Sequence, residues 1–128
     1  MADFTFPKRE RLKSKVLIDR LFQEGESVFV HPLKLVYISY QRTDDQSEIQ
    51  IAVSVPKRKF KKAVDRNLLK RRIREAYRQN KIMLNKTLIK PQDGYAIMFV
   101  YLGKEIEEYK VIESAIKRIQ KKFIRAIS

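Results

Sequence analysis

Eight consecutive residues, Tyr95-Ala96-Ile97-Met98-Phe99-Val100-Tyr101-Leu102, are apolar at odd and even positions alike. A strand sends successive side chains to opposite faces, so this run offers no face to water. It therefore reads as a central strand, covered on both sides.

The other elements must build that cover. Residues 14–24 read as a short helix: Ser14 can cap it, Leu17/Leu21 and Ile18/Phe22 pair at i,i+4, and Gly25 can close it. Residues 27–31 and 33–41 read as strands interrupted by Pro32, which suggests an edge or a bulge. Turn residues fill Thr43 to Ser47. Ile49, Ile51, Val53 and Val55 then alternate with Gln50, Ala52 and Ser54 as a half-buried strand, which Pro56 ends. A basic helix is predicted from about Lys62 to Asn80, with a continuation through Met83-Leu84 left open. Pro91-Gln92-Asp93-Gly94 reads as a turn. Tyr109, Ile112, Ile116, Ile119 and Phe123 recur at helical spacing and mark a long amphipathic C-terminal helix. The order α-β-β-β-α-β-α implies one α+β domain over residues 1–128: a four-stranded sheet packed with helices, in the manner of a ribosomal-protein domain. Residues 1–12 are expected to be a loosely ordered basic segment.

Charge narrows the function. The formal net charge is +14, and residues 57–78 alone hold eleven basic side chains against two acidic ones, Asp65 and Glu75. An excess of that size repels itself unless a polyanion is the partner. At about 100° per residue, Arg66, Asn67, Lys70, Arg71, Arg74 and Arg78 fall within an arc of roughly 140°. Leu69, Ile73 and Ala76 fall on the adjacent arc, with Tyr77 at the border. A solvated helix face ordinarily interleaves acid and base, whereas Arg66/Lys70/Arg74/Arg78 is a like-charge ladder that weakens an isolated helix. Guanidinium forks suit phosphate oxygens, and Asn can reach base edges or 2′-hydroxyls.

Other chemistries find little support. The chain has no Cys and a single His, so thiolate chemistry and cysteine metal sites are excluded. No nucleophile–base pair is recognisable. His31, beside Pro32, reads as structural or exposed. Asp44-Asp45 and Glu105/Glu107/Glu108 read as a turn and a helix start rather than a metal site. No apolar run approaches the ~20 residues of a membrane span, and Met1 to Pro7 lacks a signal pattern. The expected location is the cytoplasm, with neither a membrane nor DNA as partner.

At the basic segment the sequence resembles the bacterial ribonuclease P protein family. Lys57-Arg58, Ala63, Arg66-Asn67, Lys70-Arg71, Arg74 and Glu75 stand at the spacing of that family's Arg-Asn-Arg signature, and Arg11-Leu12, Phe22 and Gly25 match its first helix. Two positions depart from the pattern. Leu68 stands where the third signature residue is usually Arg. Ile18 stands where a first-helix aromatic is often found.

The resemblance implies a division of labour. A catalytic RNA cleaves with bound Mg²⁺, and no dedicated Mg²⁺ site is expected on the protein. The protein assists by holding the 5′ leader of precursor tRNA in a cleft between the first helix and the sheet. Contacts to the catalytic RNA are expected from Lys57, Arg58, Lys59, Lys61 and Lys62 in the loop before the helix, and from Arg66, Asn67, Lys70, Arg71, Arg74 and Arg78 on it. Ile18, Phe22, Tyr37, Arg11 and Lys13 are expected at the leader cleft, with the strand register between Val36 and Tyr37 open by one residue. Phe29 and Tyr40 are further aromatics in reach, and Lys8, Arg9 and Lys15 add charge nearby. Lys117, Arg118, Lys121, Lys122 and Arg125 are expected to cover the solvent side of the last helix. The alternative is a structural RNA-binding module of ribosomal type. A stand-alone nuclease would need a carboxylate cluster that the sequence lacks, and a DNA-binding helix-turn-helix would not set its helix between strands.

Overall fold

The apolar run does lie centrally. The computed structural model describes residues 10–41, 49–87 and 93–127, and for 82–87 and 93 the backbone alone. Its elements follow the predicted order: α1 (Lys15–Glu24), β1 (Glu26–Val30), β2 (Leu33–Gln41), β3 (Ile49–Ser54), α2 (Ala63–Thr87), β4 (Asp93–Tyr101) and α3 (Tyr109–Ile127). The sheet order is β1-β2-β4-β3. β4 pairs antiparallel with β2 and parallel with β3, so it has neighbours on both sides. Pro32 sits in the turn between β1, an edge strand, and β2.

Register sorts the side chains into two cores. Leu35 lies opposite Phe99, and Tyr37 and Ile51 both lie opposite Ile97. This face packs on α2 and α3 through Leu69, Ile73, Ala76, Tyr77, Ile112, Ile116, Ile119 and Phe123. The intervening residues form the other face. Ile38, Ala96 and Met98 pack there with Leu12 and Leu21, and with Leu17, Ile18 and Val36 at the margin. α1 is thus the cover for the second face. Its N-cap Ser14 accepts from the Leu17 amide at 3.3 Å, and the Gly25 amide donates to the Leu21 carbonyl at 3.1 Å.

Several expectations shift. α2 runs on through Thr87, past Asn80. Asp93 and Gly94, expected in a turn, instead extend β4 opposite Gln41 and Tyr40. Thr43 to Ser47 and Pro91-Gln92 lie outside the described residues, as do Lys8 and Arg9. Tyr77 is not at a border but only 1% exposed.

Residues 10–12, expected to be loose, are docked. Lys81 on α2 donates to both carboxylate oxygens of Glu10 at 2.9 and 3.0 Å. Arg11 then forms a parallel bridge to Ile51, and the Leu12 amide donates to the Ile51 carbonyl at 2.7 Å. The Leu12 side chain is buried in the α1-side core. The segment therefore wraps the β3 edge, from the α2 side of the sheet to the α1 side.

Candidate nucleic-acid interface

The loop leading into α2 is rigidly seated despite its charge. Phe60 is buried, its ring 5.7 Å from that of Tyr101 in an edge-on arrangement. The amides of Lys59 and Phe60 both donate to the Pro56 carbonyl, at 3.3 and 3.2 Å. Arg66 reaches back from α2, and its Nη1 donates to the carbonyls of Phe60 and Lys61 at 2.8 and 2.9 Å. Lys59 Nζ donates to the Leu102 carbonyl at 3.1 Å. Two of the predicted contact residues thus brace the loop. The others in it, Lys57, Arg58, Lys61 and Lys62, are exposed. The aromatic anchor was missed in sequence, although Phe60 is the single apolar residue among six between Lys57 and Lys62.

The helix face divides in a similar way. Asn67, Arg71 and Arg74 are exposed and Lys70 is half-buried. Arg78 is not a bare cation: its Nε donates to Glu75 Oε2 at 3.1 Å, and its Nη2 bonds the other oxygen. Those bonds, with one from Gln79, hold the Glu75 carboxyl below the usual carboxylate range. The expected lack of counter-charge therefore fails at Arg78. Arg66 meets no carboxylate in those bonds, but its guanidinium is directed to the two loop carbonyls. Leu68 is half-buried. Arg72 lies off the basic arc and binds the Glu107 carbonyl at 2.5 Å, tying α2 to the loop before α3.

The docked N-terminal segment adds to this face. A groove of about 360 Å³ follows the β3 edge, lined by Arg11, Leu12, Lys13, Ile51, Ala52, Val53 and Arg74. Arg11 and Lys13, expected at the leader cleft, thus meet Arg74, expected at the catalytic RNA. Their meeting depends on the Glu10–Lys81 pair and the Leu12 anchor, which neither charge nor periodicity announces.

On the α1 side, Ile18 is half-buried and Phe22 is 74% exposed. The open register resolves against Tyr37. Val36 lies opposite Met98 on the α1 face, whereas Tyr37 belongs to the α3-side core. Its ring centroid is 4.9 Å from Phe123 and 6.4 Å from Tyr95. Burial, and then a hydrogen bond to Glu26, push its hydroxyl above the ordinary tyrosine range. Tyr37 is therefore removed from the cleft. Phe29 pairs with Lys34, two residues from Val36, so both belong to the α1 face; Phe29 is 50% exposed there. Lys34 adds a positive charge to that face, and the alternation of β2 is the signal that puts it there.

Among the described residues no three His, Asp or Glu side chains gather to hold a metal, and no helix is long and apolar enough to cross a membrane.

Known proteins resemble this chain over most of its length. The family model described as Ribonuclease P matches residues 6–124. The ribonuclease P protein component of Porphyromonas gingivalis is 39% identical over 126 residues, covering 97% of this chain and 88% of the relative. That of Petrotoga mobilis is 33% identical over 128 residues, covering 99% and 98%. Among solved structures, the RNase P protein of Thermotoga maritima has a TM-score of 0.65 at 23% identity, covering 88% of this chain and 96% of that one. The Staphylococcus aureus RNase P protein has a TM-score of 0.64 at 20% identity, covering 89% and 94%. The last two share the fold, and the first three carry the lineage. The chain belongs to the ribonuclease P protein family, the protein subunits that take part in forming the 5′ end of tRNA.

Proposed function

We propose that this chain binds the catalytic RNA of ribonuclease P through the 57–62 loop and the outer face of α2, and the 5′ leader of precursor tRNA across the α1 face of the sheet. Catalysis rests with the RNA, so the protein is an accessory subunit of an endoribonuclease. The observation that carries this reading is the β3-edge groove, where Arg74 from the helix meets Arg11 and Lys13 from the segment that leads into α1. A strand of RNA bound there is continuous with both surfaces.

Each part of the surface has a distinct task. Lys57, Arg58, Lys61, Lys62, Lys70, Arg71 and Arg74 offer ammonium and guanidinium groups to phosphates, and Asn67 offers an amide to a base edge or 2′-hydroxyl. Arg66 and Lys59 act by holding the loop in shape. Phe22 and Phe29 are the exposed aromatics on which unpaired leader bases stack, while Ile18 and Val36 supply apolar floor. Mg²⁺ is assigned to the RNA and its substrate. Cytoplasmic residence follows from that partnership.

Mixing the protein with ribonuclease P RNA and a leader-bearing tRNA precursor at low Mg²⁺ tests the reading. Cleavage should be stimulated, and shortening the leader to one nucleotide should erase most of the gain in substrate affinity. Equal stimulation of both substrates would remove the leader assignment, and no stimulation of either would remove the proposal. A ribosomal-type module is not favoured, because the spaced signature and the whole-chain match both belong to the ribonuclease P family.

A further inference from the structure

α3 carries a second basic face that none of these assignments uses. Lys110, Lys117, Arg118, Lys121, Lys122 and Arg125 are all exposed. At helical spacing they fall within an arc of roughly 140°, opposite the buried Ile112, Ile116, Ile119 and Phe123. Only Ser114 and Val111 share that arc. From Ser114 to Ile127 the helix holds five basic residues and no acidic one.

The ordinary explanation is complementarity to the helix dipole, which favours cations near a C-terminus. That effect is confined to the last turn, so it accounts for Arg125 and its neighbours and not for Lys110, Lys117 or Arg118. Cross-helix pairing does not account for them either. Lys122 donates to the Phe29 carbonyl at 2.9 Å, and none of the six joins a salt bridge among the described residues. Lys117/Lys121, Arg118/Lys122 and Lys121/Arg125 are instead like-charge pairs at i,i+4, each unfavourable without an anion.

Position separates this face from the first. α3 lies over β1 and β2, whereas α2 lies over β3. The row therefore flanks the half of the sheet remote from the β3-edge groove. Lys110 and Arg118 rim a shallow cavity with His31 and Ser114, so the face is concave at one end. The row on α3 holds no Phe, Tyr or Trp, which disfavours unpaired bases, and a straight row of flexible cations suits a regular phosphate backbone.

We propose that the outer face of α3 is a second RNA-binding surface, which grips the phosphodiester backbone of a double-helical RNA without reading its sequence. One protein subunit then bridges two RNA segments, one at α2 and one at α3.

The test uses the full chain and a 20-base-pair RNA duplex of arbitrary sequence. Arg71→Gln/Arg74→Gln serves as the background, so that the α2 face contributes less and α3 is read as the difference from that background. In that background the duplex should still bind, with log K falling against log salt at a slope of about −3. Adding Lys117→Gln/Lys121→Gln/Arg125→Gln should flatten the slope by about 2 to 3 and weaken binding at least ~30-fold at 0.1 M salt. Bound duplex should also shield Lys117 and Lys121 from acetylation in the otherwise unaltered chain. Unchanged slope together with unshielded lysines would overturn the proposal. The residues are solvent-exposed, so far-ultraviolet circular dichroism should be the same for all variants, and a variant that fails this check is replaced by Lys117→Glu alone. Stimulation of leader removal is a separate readout: its absence with α3 shielding intact would count against the proposed function and leave this inference standing.

Discussion

The Lys81 ammonium lies 2.9 and 3.0 Å from the two carboxylate oxygens of Glu10, a residue 71 positions away in the chain. The side chains are only 7% and 14% exposed. Removing one member of such a pair leaves a charge in a poorly solvated place. Lys81→Met should cost about 3 kcal/mol in urea unfolding, and Glu10→Gln added to it should restore most of the loss. If the single variant unfolds like the parent, the pair does not hold the N-terminal segment down.

Arg66→Lys keeps the charge and loses the fork that spans two loop carbonyls. Amide exchange at Lys59 and Phe60 should speed up about fivefold, the equivalent of about 1 kcal/mol for the lost bonds. The salt slope of RNA binding should not move, because Arg66 is assigned no phosphate. A drop in slope of about 1 would mean that Arg66 does contact one.

A Cβ on Gly25 would stand 2.6 Å from Val36 Cγ1 and press on the Leu21 carbonyl. Its backbone angles are open to any residue, so the constraint is closeness rather than conformation. Gly25→Ala should lower stability by about 1–3 kcal/mol, as overpacking does, and should lift the end of α1 that carries Phe22. Leader affinity should fall more than affinity for the catalytic RNA. Thermal unfolding matching the parent would show that α1 has room to move.

Gln120 is fully buried in α3, and its amide oxygen and nitrogen both lack a hydrogen-bond partner among the described residues. An unsatisfied buried amide is costly, and an apolar residue of like size removes that cost. Gln120→Leu should raise stability by about 1–2 kcal/mol without altering RNA affinity. A destabilised variant would show that the amide has work to do in the core.

Burial, with a smaller contribution from the Glu10 carboxylate, drives the Tyr77 hydroxyl far above the ordinary tyrosine range. Below about pH 10 both folded and unfolded chains keep this proton, so the group adds no pH dependence. Above that, the unfolded chain releases a proton that the folded chain retains, and stability falls by up to ~1.4 kcal/mol per pH unit from this group. Tyr77→Phe should therefore flatten the decline in stability between about pH 10 and 11. An equal decline in both proteins would assign it to other groups.

The elements were legible because each has its own period. β2 was read at its true limits, and the apolar run revealed β4, one of the two inner strands of the sheet. The basic face of α2 was legible as an angle on a helix. An angle says nothing about the path of a neighbouring loop, so the diversion of Arg66 to the Phe60 and Lys61 carbonyls was out of reach. Tyr77 was misjudged for a related reason. Its direction lies among the basic residues, and only the position of Phe99 across the interface, with ring centroids 5.9 Å apart, draws it inward. The choice between Val36 and Tyr37 hung on one residue of register, which inter-strand pairing decides. Glu10 and Lys81 are 71 residues apart, and local pattern carries no trace of such a partnership.

The bridge from Arg11 to Ile51 has a consequence for the protein at high concentration. An edge strand is a template for other chains, and β3 is an edge. Here the chain's own N-terminal residues occupy part of that edge and post Arg11, Lys13 and Arg74 beside it. A second copy approaching edge-on would meet its own charge. The groups that attract RNA to this border thereby protect the free subunit from fibril-like association, and the protection is strongest when RNA is scarce.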